Sequence, residues 1–339
     1  QPFEVRSDPA RSGRGESGTK ECPPPEREST SMVRRPEVER NFASACAGGR
    51  LGRVSSLLRR HPRRHTLVNS TDNVGRTPLC LASDAGHSDV VRLLIDNGAD
   101  TEKAMQGGWT PLLLGSHRGH LAVVRLMLER GADVDKAEIQ GATPLICACR
   151  AGHLDVVRLL VDSGANFDKA MDNGVTPLFV SCGLGNLELA RLLVDRGADA
   201  DKAALGGGTP LCIASWRGHL EVVRLLLDGG ALKDKPNNDG GTPLFLSACS
   251  GQREVSRLLL DSGADKAKAD NEGATPVLTA SWGGRVAIVG ILLARGAALD
   301  TPDDHGTSPL VAACQQGHRD VAWLLLDCGA DAEQALNAG

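Results

Sequence analysis

The chain has 339 residues, of which 41% are hydrophobic and 40 are glycine, and it carries 38 Lys and Arg against 42 Asp and Glu. Because it has no Tyr and only four Trp and five Phe, a core has to be built from Leu, Val and Ala. The longest conspicuous apolar stretch, Val286 to Ala294, is far shorter than the roughly 18–20 residues of a membrane helix, so we expect no membrane span.

Residues 1–36 differ from the rest of the chain. They combine Pro23-Pro24-Pro25 with scattered Ser and Gly and with charges of both signs, a composition that predicts disorder. The segment lacks the apolar core of a secretory signal, so we expect an intracellular protein, and the sequence does not distinguish cytoplasm from nucleus. The chain begins at Gln1, has its first methionine at Met32 and stops at Gly339 just before another repeat is due, which predicts a fragment of a longer protein.

Residues 37–76 form an imperfect first unit. Apolar residues recur between Phe42 and Leu58, ahead of a loop that is longer than the later ones, and we interpret the segment as an N-terminal capping repeat and loop. The densest basic cluster of the chain, residues 59–65, lies here, and residues 1–75 hold 14 Lys and Arg against 9 Asp and Glu. We favour a solvated loop; the alternative is a nuclear-import or phosphate-binding patch.

From residue 77 to residue 339 the sequence repeats every 33 residues. A unit of this length cannot bury its apolar face alone, so the units must stack into a solenoid. A Thr-Pro-hydrophobic triplet, with one Ser for Thr, opens eight units at Thr77, Thr110, Thr143, Thr176, Thr209, Thr242, Thr275 and Ser308.

Each unit is predicted to contain two short helices. In the first unit Thr77 is an N-cap and Pro78 is the first helical residue, because the hydroxyl accepts an orphan N–H and Pro has no donor to leave unpaired. Gly86 ends this helix, since Gly adopts a left-handed C-cap without strain. A second helix carries the apolar stripe Val90 to Leu94 and stops at the next Gly. The unit is therefore helix, turn, helix and hairpin loop.

The fifth unit shows the whole pattern, from Thr209-Pro210-Leu211 through Gly218-His219-Leu220-Glu221-Val222-Val223 to Gly230-Ala231. This pattern resembles the ankyrin repeat, and the resemblance covers about residues 41–339. It implies an all-α solenoid of helix-turn-helix units joined by β-hairpin loops. The family often has His after Thr-Pro-Leu, which bonds loop to helix, and its replacement here suggests a more apolar first-helix face. That position holds Cys80, Leu113, Ile146, Phe179, Cys212, Phe245, Leu278 and Val311.

No motif in the sequence points to catalysis. A P-loop, His-Glu-x-x-His, Cys-x-x-Cys and Gly-x-Ser-x-Gly are all missing, so we predict no enzyme activity and no cofactor. Five His follow the turn Gly at one repeat position, and neighbours in this row should lie roughly 8–10 Å apart. That spacing is too wide for one zinc ion with bonds near 2.0–2.1 Å, so we predict no metal. The row is His87, His120, His153, His219 and His318.

Seven of the ten Cys lie in first helices. Cys149 and Cys182 share one position in adjacent units, so we expect their Cα atoms to exceed the roughly 7 Å limit for a disulfide. Free buried thiols in a reducing compartment are predicted.

Six second helices place Arg four residues before an acid, which predicts an exposed ladder of ion pairs of about 0.2–0.5 kcal/mol each. The seventh and eighth units break the pattern with Gly290/Ala294 and Trp323/Asp327. The six pairs are Arg92/Asp96, Arg125/Glu129, Arg158/Asp162, Arg191/Asp195, Arg224/Asp228 and Arg257/Asp261.

Large side chains break the repeat pattern in one region. The resemblance implies that a partner docks on the hairpin tips and on the concave face of the first helices, and three of the four Trp fall at those positions. Trp and Arg are the residues most enriched in binding hot spots. The alternative is that each Trp only covers the neighbouring loop. The predicted site residues are Trp109, His117, Arg118, Arg150, Trp216, Arg217 and Trp282, with Trp216, Arg217 and Trp282 as the central anchor.

The sequence thus predicts a monomeric scaffold that binds another protein on a concave face. One alternative is the regulatory or substrate-recruiting region of a larger enzyme or channel. A second is nucleic-acid binding through the basic cluster at residues 59–65, which we disfavour because residues 76–339 hold 24 Lys and Arg against 33 Asp and Glu.

Overall fold

The structure, a computed structural model, describes residues 35–332. Residues 1–34, which make up nearly all of the segment predicted to be disordered, and residues 333–339 lie outside the described part. The described residues form nineteen helices and no strand. The helices are α1 Arg35–Ala47, α2 Leu51–Arg60, α3 Arg64–Val68, α4 Pro78–Asp84, α5 Ser88–Asp96, α6 Pro111–Arg118, α7 Leu121–Glu129, α8 Pro144–Ala151, α9 Leu154–Asp162, α10 Pro177–Gly183, α11 Leu187–Asp195, α12 Pro210–Arg217, α13 Leu220–Asp228, α14 Pro243–Ser250, α15 Arg253–Asp261, α16 Pro276–Trp282, α17 Val286–Ala294, α18 Pro309–Gln315 and α19 Arg319–Asp327.

Every repeat unit contains a first helix, which is even-numbered from α4 to α18, and a second helix, which is odd-numbered from α5 to α19. Each first helix begins at the Pro of the triplet. Its cap is the preceding hydroxyl: Thr77 Oγ1 accepts a hydrogen bond from Cys80 N at 3.1 Å, and the other seven caps repeat this bond. The predicted helix starts are therefore confirmed.

The turn between the two helices depends on Gly. Gly119, which follows α6, has a φ of 76°, in the left-handed region that disfavours a side chain. A Cβ atom there would also lie 2.6 Å from Nδ1 of His153 in the next unit. The position is therefore closed to other residues both by its conformation and by its neighbour.

Stacking holds the units together. Consecutive first helices pack on one another, as do consecutive second helices, and α1 and α2 continue the stack by packing on α4 and α5. One hydrophobic core of buried side chains extends from Phe42 to Ala330. Because helices of seven to nine residues are unstable alone in water, this shared core stabilises them.

The loops between units, which we call fingers, are turns rather than β-hairpins. In the first finger Met105 N donates to Trp109 O at 3.0 Å, and the next finger is joined to it by Ile139 N donating to Gly107 O at 3.0 Å. One backbone bond between adjacent fingers does not make a strand ladder. The β-hairpin loops that the resemblance implied are thus not confirmed in residues 35–332.

A ladder of polar contacts also joins the bases of the loops. Lys169 Nζ donates to Asp135 O at 2.7 Å, while the Asp135 carboxylate accepts from Asn166 N at 3.1 Å. Each bond pairs a backbone C=O or N–H group that the short loops leave without a partner. Equivalent bonds are made by Lys103, Lys136, Lys202, Lys235 and Lys268.

This ladder is interrupted between the sixth and seventh units. Ala267 stands where the other loops have Asp, Glu or Asn, and Thr301 stands where they have Lys. Of the seams between described units, this one lacks both the Lys bond and the carboxylate bond. The packing of α14 on α16 and of α15 on α17 remains.

The predicted Arg–acid ladder along the second helices is wrong. Asp96 does not pair with Arg92 on its own helix but with Arg130 of the next unit, at 2.7 Å, and Asp162 pairs with Arg196 at 2.7 Å. An Arg placed before an acid is the weaker i,i+4 orientation, and the stack brings a competing Arg within reach. These acids therefore link units.

None of the described helices has both the length and the hydropathy of a membrane-spanning segment.

Candidate protein-binding face

The C-terminal ends of the first helices supply one row of exposed and half-buried residues. We call the residues at the eighth position of each unit the inner row. Because the first helices pack consecutively, the row runs along the stack beside the fingers. The inner row consists of Asp84, His117, Arg150, Gly183, Trp216, Cys249, Trp282 and Gln315.

At the N-terminal end of this face two predicted site residues are in contact. The rings of Trp109 and His117 meet edge to face, with centroids 5.6 Å apart. Trp109 is half-buried and packs on a small core cluster that includes Leu113 and Ile146. Part of the Trp109 surface is therefore covered by the protein itself, and less of it is open to a partner.

Burial and nearby charges shape the titration of the His117 imidazole. Burial lowers the pKa of His117, and the positive charges of Arg118, His153 and Arg150 lower it further. His117 is therefore a neutral, partly apolar element of the face at neutral pH.

The three predicted Arg differ in their partners. Arg118 Nε donates to Asp84 Oδ1 at 2.8 Å, so its charge is neutralised within the protein. Arg150 Nη2 lies 3.2 Å from the sulfur of Met171 and has no carboxylate partner in the described part of the chain. Arg217 Cζ lies 4.9 Å from the centroid of the Trp216 ring, a cation–π distance, and its guanidinium likewise pairs with no described carboxylate.

The predicted central anchor is assembled only in part. Trp216 and Arg217 stack on each other at the end of α12, and Trp216 rests against the main core. Trp282 ends α16, is 46% exposed, and is separated from Trp216 by α14. The two Trp are thus neighbours along the face rather than a single cluster.

Exposed aliphatic side chains extend this face, and reasoning from the sequence missed them. Leu184 follows the inner row at the end of α10 and is 55% exposed; Ile139 and Leu205 occupy finger tips and are 75% and 71% exposed. The equivalent tip positions of other fingers hold Gln, Asn or Asp. The same comparison between units that singled out the Trp residues would have found them.

The histidine row joins units rather than forming a cluster. His153 Nε2 lies 3.1 Å from the carbonyl oxygen of His117, and the other four His make the same contact with the preceding unit at 2.9 to 3.1 Å. In the described part of the chain no three His, Cys, Asp or Glu side chains are grouped as metal ligands.

The described cysteines are all free thiols. Six of them are buried, and burial raises the pKa of Cys46, Cys147 and Cys149 to about 12. Such thiols are packing groups rather than nucleophiles. Cys249, Cys314 and Cys328 are exposed.

The basic cluster at residues 59–65 lies at the N-terminal end of the stack. It spans the end of α2 and the start of α3, and its four Arg are exposed. It contributes no side chain to the inner row.

The helix pairs, the shared core and the row of side chains together define a helical repeat solenoid. Comparison with protein families agrees: a profile of ankyrin repeats in three copies matches residues 42–138, 134–204, 201–270 and 262–335. The chain belongs to the ankyrin repeat family. Comparison with curated proteins gives no match. Repeats of this family generally mediate protein–protein interaction and are generally non-catalytic.

Proposed function

We propose that this chain is a protein-binding scaffold that takes its partner on the concave face formed by the inner row and the finger tips. The observation that carries the proposal is the exposure of Trp282, beside the stacked Trp216 and Arg217, on a surface where a short polar side chain would serve folding equally well. Large rigid side chains of this kind gain most when a partner removes them from water.

The surroundings support a preformed site. Trp216 rests on the core and holds Arg217 in place, so little side-chain entropy is lost when a partner binds. Leu184 and Leu205 add apolar area between the N-terminal and central parts of the face. The mechanism is shape and hot-spot contact, with no chemical step.

The test is affinity capture from a cell lysate with the 339-residue chain, quantified by mass spectrometry. Trp282→Ala should reduce the recovered partner by at least about tenfold, whereas Trp323→Ala, which removes a Trp that is 66% exposed on a second helix, should not. Since Trp216 contacts the core, Leu205→Ser provides a second variant on the face that spares the fold. Equal recovery by all of these variants, with unchanged circular dichroism, would show that the partner binds elsewhere.

The interpretation of the chain as the regulatory or substrate-recruiting region of a larger enzyme or channel stays a prediction, which a full-length transcript tests. Nucleic-acid binding by residues 59–65 also stays a prediction. It would require retention on heparin that is lost when those four Arg are replaced by Gln.

A further inference from the structure

The inner row and the residue after each of its members, which together we call the strip, carry a net charge opposite to that of the repeat array. Residues 76–339 hold 24 Lys and Arg against 33 Asp and Glu. In contrast, the inner row and the residue after each of its members contain three Arg and a single acid, Asp84. A positive strip on an acidic protein marks where a negative ligand is favoured.

Two of the three guanidinium groups are available to a ligand. Asp84 neutralises Arg118. Arg150 and Arg217 are exposed and have no carboxylate partner among residues 35–332. A carboxylate can bind the fixed fork of a guanidinium through two hydrogen bonds, which is stronger than a contact with a neutral acceptor.

Apolar surface alternates with these charges along the stack. Leu184 lies in the unit between Arg150 and Arg217, and Trp282 lies two units beyond Arg217. A ligand that satisfies the strip must therefore offer carboxylates to Arg150 and Arg217 and a large apolar group beyond Arg217.

The finger tips give the strip a direction. When each tip is taken as the position of Ile139 and Leu205 together with the residue after it, one of the first four tips carries a carboxylate, Asp172. Each of the last three carries one: Asp239, Glu272 and Asp304. These acids repel a negative ligand at the C-terminal end. The negative part of the ligand is thus placed over α8 to α12 and its apolar part over α16.

Resting on the function proposed above, we propose that the partner presents an extended acidic segment whose carboxylates bind Arg150 and Arg217 and whose apolar end packs on Trp282. First helices stack at roughly 8–10 Å, so Arg150 and Arg217, two units apart, are about 16–20 Å from each other. An extended chain covers that distance in about six residues. A nucleic-acid strand would also offer anions, but the acidic array and the acidic finger tips disfavour a uniform polyanion.

Fluorescence anisotropy with a synthetic probe tests this inference on the full chain. The probe is a fluorescein-labelled peptide of about 14 residues, with two aspartate pairs about six residues apart and leucine and phenylalanine near one end. We expect binding that weakens with salt, and at least about tenfold weaker binding both for the peptide with Asn in place of Asp and for the Arg150→Gln/Arg217→Gln variant.

A matched control keeps the net charge equal. Arg158→Gln/Arg191→Gln removes two exposed Arg from second helices and should change the dissociation constant by less than about twofold. The inference is overturned if the probe does not bind, if the Asn peptide binds as tightly, if Arg150→Gln/Arg217→Gln has no effect, or if an oligonucleotide of similar length binds more tightly.

Failure of this inference is distinguishable from failure of the proposed function. If the Asn peptide binds as tightly as the probe and Trp282→Ala weakens both, the face binds peptides without selecting acids. If lysate capture does not depend on Trp282 or Leu205, the proposed function itself fails, whatever the probe does.

Discussion

The guanidinium carbon of Arg217 lies 4.9 Å from the centroid of the ring of Trp216, its neighbour in the chain. The core fixes the indole, and the indole positions the cation, so a charge on the surface is held without an acidic partner. Arg and Lys differ in this setting, because only the planar guanidinium stacks on the ring and also offers two parallel donors.

This relationship predicts a graded response at Arg217. Arg217→Lys keeps the charge but loses the stacking and the bidentate geometry. We therefore expect it to weaken binding of the acidic probe by about threefold, and Arg217→Ala to weaken it by about tenfold or more. Titration by fluorescence anisotropy measures both. If the Lys and Ala variants bind the probe equally weakly, charge alone contributes nothing at this position. If the Lys variant binds the probe as tightly as the natural chain, stacking does not contribute.

The interrupted seam between the sixth and seventh units predicts a stabilising double variant. Ala267→Asp/Thr301→Lys should restore the two bonds that Asp135 and Lys169 exemplify, adding about 1 kcal/mol to the free energy of opening this seam. Hydrogen exchange of the amides in α16 to α19 reports that opening.

The control for this variant is Ala267→Asp/Thr301→Met, which has a side chain of similar length without the ammonium donor. We expect it to slow exchange less than the Lys variant does. Equal exchange rates in the two variants would show that the Lys bond does not contribute. Rates unchanged from the natural sequence in both variants would show that the loop bonds do not limit the opening of the last two units.

Thiol chemistry should separate the cysteines into two groups. In a Cys22→Ser variant, which leaves the nine described cysteines, Cys249, Cys314 and Cys328 should react rapidly with a chromogenic disulfide at pH 8. The other six are buried, and a thiol with a pKa of about 12 is thiolate in only about one molecule in ten thousand at that pH. They should react only when urea unfolds the chain. Fast reaction of more than three thiols in the native protein would contradict the packed stack.

Stability should decrease in mild acid partly because of His117. Its pKa is lower in the folded protein than in the unfolded chain, so between the two values the unfolded chain binds more protons. The free energy of unfolding therefore falls as the pH decreases from about 7 through the ordinary histidine pKa near 6.5. His117→Gln should show a smaller fall in urea midpoint between pH 7 and pH 5 than the natural sequence does. A steeper fall in the His117 variant would contradict this sign.

Much of the fold follows from local chemistry that the sequence displays. Thr77 and Pro78 define where a helix starts through a bond within their own unit, and the Gly before each second helix requires the left-handed conformation seen at Gly119. These rules act within one unit, so counting every 33 residues was sufficient to place the helices.

Contacts between units were harder to predict. Asp96 prefers Arg130, thirty-four residues away, to Arg92 on its own helix, because the stack decides which Arg is in reach. The pairing of Arg118 with Asp84 and the packing of Trp109 on the small cluster depend on the same geometry. Exposed aliphatic residues such as Leu205 were missed because only Trp and charged residues were compared between units; Leu205 stands at a position where most other fingers have Gln, Asn or Asp.

The most direct test of the binding face is hydrogen–deuterium exchange of the full chain with and without the captured partner. We expect protection in peptides covering α12, α16 and the finger at residues 204–208, with unchanged exchange in the second helices α13 and α17. Protection confined to α13 and α17, or to residues 59–65, would contradict it.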